Sequence, residues 1–209
     1  KADGQVVYTD VDPDSVLTNG TFDIDFDTDG TVDFSLVQGH FTYSSDQVQS
    51  VTIHLPDGNQ AIGEGADGYS YPAVLASGAP IAQDNTSFGS YADGILGVAY
   101  PNYQYGLWPG QTGFLGCRFL AGDGQLHYAW VKLSVSGDAQ TCTILGFGYE
   151  SAPNGAINAG DMGVAAVPET GRDPLALQVV PNPVNDVATL ILPNNIGGSS
   201  SISLLNSLG

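Results

Sequence analysis

The sequence predicts an all-β fold, a β-sandwich body followed by a short, incomplete second β-sandwich segment. Three observations carry that expectation. Short runs rich in β-branched and aromatic residues recur along the chain, bounded by Gly, Asp and Asn. No stretch shows the apolar stripe of an amphipathic helix. Strands at close spacing, punctuated by 28 glycines and 12 prolines, indicate a sandwich rather than βαβ units.

Taken in order, "QVVYT" (5–9), "TFDIDF" (21–26), "TVDFSLV" (31–37) and "VQSVTIHL" (48–55) read as strands, and "LPDGNQ" (55–60) as a turn by its Pro-Asp-Gly order. The stretch 61–113 is loop-rich and is expected to hold two short strands. Then "GFLGCRFL" (113–120), "QLHYAWVKLSV" (125–135) and "QTCTILGFGY" (140–149) follow as consecutive strands joined by "AGDG" and "SGDA". Cys117 and Cys142 sit in the outer two. In a plain meander those strands lie roughly 9 to 10 Å apart, beyond disulfide reach, so a bond would need the third strand to cross to a facing sheet. The alternatives are a Cys117–Cys142 disulfide and two small buried thiols. The segment 150–174 holds small residues and prolines, reading as the last edge of the body and a linker. Strand patterns then restart. The expected organisation is a body at 1–160, a linker at 161–174 and a second β segment at 175–209.

Charge narrows the function. There are 22 acidic against 4 basic residues, a net charge of -18 and a pI near 4.1. Such a chain repels phosphate backbones and anionic headgroups, which argues against nucleic acid and polybasic membrane docking. No apolar run approaches the ~20 residues of a membrane span. The acids are Asp except for Glu64, Glu150 and Glu169, favouring turns and ligand loops over helices. Charged residues make up 12 % and the chain begins at Lys1, which together lead us to expect an exported mature chain, secreted or at the cell surface.

The acids concentrate in "FDIDFDTDGTVDF" (22–34). In an extended chain alternate side chains share a face roughly 7 Å apart, and each like-charge pair costs on the order of 0.5 kcal/mol in bulk water. Asp25, Asp27, Asp29, Gly30 and Asp33 resemble the nine-residue DxDxDGxxD calcium loop of integrin-type propellers and other extracellular β proteins. Calcium takes about six to eight oxygens, which alternating Asp residues around a tight bend can supply. The expected Ca2+ ligands are Asp25, Asp27, Asp29, the carbonyl of Thr31, and Asp33. An EF-hand would need Glu at its twelfth position, which is Leu36. Phe22, Ile24, Phe26, Phe34 and Leu36 are expected to face the core. A second group, Asp10, Asp12 and Asp14, is broken by Pro13 and reads as a solvated loop. Within it "DSV" (14–16) resembles an O-glycosylation motif of Bacteroidota, with Ser15 as acceptor.

Nothing marks an enzyme. HExxH, GxSxG and P-loop patterns do not occur, His40, His54 and His127 are scattered, and neither Glu64 nor Glu150 has a local environment marking it as an acid. The segment 91–114 gathers Tyr91, Tyr100, Tyr103, Tyr105 and Trp108 among glycines and prolines. These aromatics can stack on sugar rings or plug one end of the sandwich.

The lead-in "LQVVPNPVNDVATLIL", with "ISLLNSLG" downstream, closely resembles the start of the C-terminal sorting domain of cargo of the type IX secretion system of Bacteroidota. That resemblance implies export through the type IX machinery by way of 175–209 and a small β-sandwich there, of which the final strands are absent. The body, with "YTDVDPD", "DTDGTVDF" and "HYAWVKLSVSG" in this order, resembles a group of secreted bacterial proteins. Together these readings lead us to expect a calcium-stabilised structural or adhesive surface protein that self-associates, as in an extracellular fibre or surface layer. The alternative is a carbohydrate-binding module taking polysaccharide on loop 91–114 through Tyr103, Tyr105 and Trp108.

Overall fold

The computed structural model describes residues 4–56, 58–66, 68–84, 88–89 and 93–163, and the backbone of 178–180 and 189–191. Two compact units divide the chain, Lys1–Val164 and Ala165–Gly209. Among the described residues every regular element is a strand, and no helix there is long and apolar enough to cross a membrane. In chain order the strands are β1 (Val6–Leu17), β2 (Gly20–Ile24), β3 (Phe34–Tyr43), β4 (Asp46–His54), β5 (Gln60–Ala61), β6 (Gly63–Ala66), β7 (Tyr69–Pro72), β8 (Pro80–Ile81), β9 (Asp93–Ala99), β10 (Gln104–Tyr105), β11 (Thr112–Leu120), β12 (Leu126–Val135), β13 (Cys142–Glu150), β14 (Ile157–Asn158), β15 (Gln178–Val180) and β16 (Thr189–Ile191).

The first unit is a sandwich. One sheet has the order β1-β13-β12-β11-β5; the other runs β2-β3-β4-β9-β7-β6, with β10 added to β9. Alternation sets the inward faces. Phe34 and Leu36 of β3 are buried beside Val51 and Ile53 of β4, against Leu115, Cys117 and Phe119 of β11, Val131 and Leu133 of β12 and Ile144 of β13. The central strand β12 is buried on both sides. Its odd residues enter that core, while Tyr128 and Trp130 point outward into a second cluster with Ile62, Ile81 and Ile157. The small β8–β14 pair therefore roofs the outer face of the five-stranded sheet. Trp130 Nε1 donates to the Asp161 carbonyl at 3.0 Å, so the body continues past 160 into the expected linker.

Two local expectations are corrected. Asp10, Asp12 and Asp14 are solvent-exposed as expected, but they stand in a strand rather than a loop, because β1 continues to Leu17. Asp10 lies opposite Gly146 and Ser15 opposite Ile144, with the intervening residues bulged out of the ladder. Pro13 has no N–H to give that ladder. The bulge and three exposed carboxylates blunt what would otherwise be a long bare edge. Among the described residues, five strands, β6 to β10, lie wholly within the region 61–113 rather than two. Among them β9, "DGILGVA", is an interior strand of the seven-stranded sheet, paired to β4 on one side and to β7 and β10 on the other. Its glycines weakened the strand signal. Their place is packing, since a Cβ on Gly94 would meet Ile53 at 2.7 Å.

The disulfide is excluded as well. β11, β12 and β13 form a plain meander, and both cysteines are free and buried. Cys117 lies opposite Ala129 and Cys142 opposite Val135, so the two differ by six residues along β12, about 20 Å, besides two strand spacings. Burial pushes the Cys142 thiol up to about 12 and Cys117 higher still. In the second unit β15 pairs antiparallel with β16, Val179 opposite Leu190. The rest of the sorting segment 175–209, and the linker beyond residue 163, lie outside the described residues.

The expected chemical behaviour of the cysteines is specific. Native protein should leave both thiols unlabelled by maleimide, denaturant should expose both, and reductant should not change the intact mass. A mass gain of two hydrogens on reduction would contradict this topology.

Candidate metal centre

The acidic loop joins β2 to β3, and its base is closed by the Asp33 amide donating to the Ile24 carbonyl at 2.8 Å. Between them the chain turns through left-handed Thr28 (φ 60°) and Gly30 (φ 91°). The second suits glycine, which has no Cβ to clash there. The turn brings one carboxylate oxygen each from Asp25, Asp27 and Asp29 within 4.8 Å of one another.

Backbone amides offset much of the crowding that this creates. Gly30 N donates to Asp25 Oδ2 at 2.9 Å, Thr31 N to Asp29 Oδ1 at 2.7 Å, and Asp29 N to Asp25 Oδ1 at 3.2 Å. A further donor comes from the facing sheet, where Gly122 N in the β11–β12 turn reaches Asp27 Oδ2 at 2.7 Å. The approach is close enough that a Cβ on Gly122 would lie 2.6 Å from Asp29 Oδ2. By its sequence alone "AGDG" is only a connection between strands. Its glycine allows this turn to lie against the loop, a contact that becomes visible only when both hairpins are placed at one end of the sandwich.

Asp33 occupies a different position from the other acids. Its side chain is buried, and Oδ2 accepts the Phe26 amide at 2.8 Å. Phe26 itself is buried among Phe34, Phe119 and Phe147, at centroid distances of 5.7, 5.0 and 5.6 Å. Asn59 supports this floor, donating to the Asp33 carbonyl and accepting from Leu120 N, each at 2.9 Å. Nothing local in "DGNQ" announces that role. Burial, and then the charges of Asp27, Asp25 and Asp29, push the Asp33 carboxyl from 3.8 to about 7, against the opposing pull of the Phe26 amide. Thr31 is exposed on the loop. The structure thus gathers Asp25, Asp27 and Asp29 at the surface, with Asp33 behind them.

Such a group can take a hard cation. Calcium–oxygen distances of about 2.3–2.6 Å put opposed ligand oxygens at most about 5 Å apart, and calcium tolerates irregular, partly hydrated shells. The three carboxylates fit within that span.

The remaining predicted residues are dispersed. Ser15 is half-buried on the edge strand β1. His127 is buried, its Nδ1 against the Glu150 carbonyl at 2.8 Å, and His54 pairs with Asp93 at the surface at 2.9 Å. Glu150 turns back on its own chain to accept the Ala152 amide. Tyr103 and Tyr105 are exposed on the outer side of the seven-stranded sheet, whereas Tyr91 lies outside the described residues. Trp108 is corrected. It is fully buried, with Nε1 donating to the Pro72 carbonyl at 3.0 Å, and it cannot stack on a sugar. A tryptophan between glycine and proline looks exposed until the strands around it close.

Two outcomes follow from this geometry. Phe26→Ala should lower unfolding free energy by about 3–5 kcal/mol in urea titrations, the usual cost of emptying a buried phenylalanine site. The Asp33 carboxyl binds its proton more tightly folded than unfolded, so the unfolded chain ionises first as pH rises. In chelator, stability should therefore fall between about pH 4 and pH 7, and Asp33→Asn should flatten that slope. A slope of opposite sign that Asp33→Asn leaves unchanged would contradict the assignment.

No protein-family model, curated protein or solved structure matches this chain, so the reading of the site rests on its own geometry and chemistry.

Proposed function

We propose that the chain is a calcium-stabilised structural or adhesive protein of a bacterial cell surface, exported by the type IX machinery through 175–209. The observation that carries the reading is the convergence of Asp25, Asp27 and Asp29 at the tip of a hairpin whose base is fixed in the core through Phe26. A cation there neutralises three crowded carboxylates and offsets the burial of a fourth. The loop then becomes a lock on the end of the sandwich, since Gly122 ties it to the facing sheet. A chain with net charge -18 gains further from any bound cation. The export reading rests on the resemblance of "LQVVPNPVNDVATLIL" and "ISLLNSLG" to the start of a sorting domain.

Calcium at roughly 100 times its Kd should stabilise the native state by about 2.7 kcal/mol, seen as a rise in melting temperature that chelator reverses. Asp25→Asn should abolish the calcium response. In chelator, that variant should melt close to the native chain, because it keeps an acceptor for Gly30 N and relieves like-charge repulsion while giving up the longer bond from Asp29 N. A melting temperature indifferent to calcium would reject the proposal.

A further inference from the structure

The outer face of the seven-stranded sheet gathers exposed aromatic side chains, among them Phe41, Tyr69 and Tyr105. Opposed residues in the register share a face, so Phe41 lies beside Val48, and Tyr105 beside Val98. A bulge in β9 adds to this. Thr52 pairs with Ile95 and Val51 with Gly97, so the extra residue Leu96 turns to the core while Ile95 and Val98 both face out. With Thr52 they floor an open groove of about 550 Å³, walled by Phe41, Tyr69, Tyr71 and Tyr105.

We infer that this groove binds a neutral glycan. Its volume falls within the range of ligand sites, about 300–1,000 Å³. Phe41 is 44 %, Tyr69 48 % and Tyr105 37 % exposed, a cost in wetted apolar surface without evident structural return. Among the described residues no charged side chain lines the groove. An anion would meet the field of a chain with net charge -18 and find no cation there to pair with. The wall residues define the chemistry of the ligand. Each tyrosine offers an apolar ring and a hydroxyl at its tip. A pyranose is built in the same way, with flat C–H faces for stacking and hydroxyls around its rim. Burial and the neighbouring tyrosines push Tyr105 above its ordinary value, keeping it a neutral donor.

The platform continues beyond the groove, which favours a chain of sugars over a single one. Tyr100 stacks on Tyr103 at 4.4 Å and 11°, and Tyr105 lies 6.3 Å from Tyr100. Tyr43 meets Tyr100 edge-on at 6.1 Å. The inference rests on the adhesive part of the proposed function and not on calcium. Phe41 is seven residues along β3 from Phe34 at the acidic loop, roughly 23 Å.

Affinity electrophoresis of the full chain tests this, with dextran, mannan, xyloglucan, laminarin or anionic alginate cast in the gel. At least one neutral polymer should retard the native protein. Tyr69→Ala and Tyr105→Ala should each weaken that binding about tenfold, and Tyr69→Phe and Tyr105→Phe, which keep the ring and lose only the hydroxyl, should weaken it less than the alanine changes do. Chelator, used below the chelated chain's melting temperature, should leave retardation in place, which separates failure of the calcium reading from failure of this one. Retardation by none of the neutral polymers, or by alginate alone, would overturn the inference, as would alanine variants that bind like the native chain. So would a native self-associate in sedimentation that the alanine variants dissociate without any effect of polysaccharide; the face would then be a contact between copies of the chain.

Discussion

The packing of Phe26 is the contact on which the acidic end of the molecule depends. Its ring touches Phe34 from one sheet and Phe119 and Phe147 from the other, so a single side chain closes the seam between them. Its amide is held by the Asp33 carboxylate, and its chain neighbours are Asp25 and Asp27. A residue with apolar anchorage on both sheets thus fixes where charged residues on either side must stand. The acids are crowded because the anchor leaves them no freedom to separate.

That arrangement explains how the loop tolerates its charge without a neighbouring cation of the chain's own. Lysine and arginine are too scarce in the sequence to serve, and backbone amides do the work instead. Amides directed inward around a turn present partial positive charge to the carboxylates they hold. Gly122 extends the same device across the sandwich, so the loop is bound to both sheets by hydrogen bonds as well as by packing.

The two outer faces are treated in opposite ways. Over the five-stranded sheet, the chain between β7 and β9 and the segment after β13 lay down Ile81, Phe88 and Ile157 against Tyr128 and Trp130. Burying β12 on both faces makes it the rigid centre of that sheet. Over the seven-stranded sheet the described chain lays nothing comparable, and the face carries rings with hydroxyl tips in place of a roof. The bulge at Leu96 gives one side of β9 to the core and two neighbouring apolar residues to the outside. The β1 edge is closed off differently, by Pro13 and the bulged acids that interrupt its ladder.

By itself the sequence determined what depends on local pattern. Alternation in "VDFSLV" and "SVTIH" located β3 and β4, and the long runs before and after "AGDG" and "SGDA" located β11, β12 and β13, because half-buried strands repeat every two residues. The spacing of Asp25, Asp27 and Asp29 around Gly30 likewise encoded their convergence, which takes place within a single turn. Whatever depended on two distant segments meeting was decided by the tertiary structure. Trp108 and β9 are buried by strands far away in sequence, so their Gly- and Pro-rich surroundings read as loop. The separation of Cys117 from Cys142 follows from register across β12, which no cysteine spacing reveals. Gly122 and Asn59 acquire their roles only from the acidic loop they reach, Asp33 becomes a buried acid through packing around Phe26, and the tyrosines of β7 and β10 meet Phe41 because one sheet lines up strands that the chain keeps apart.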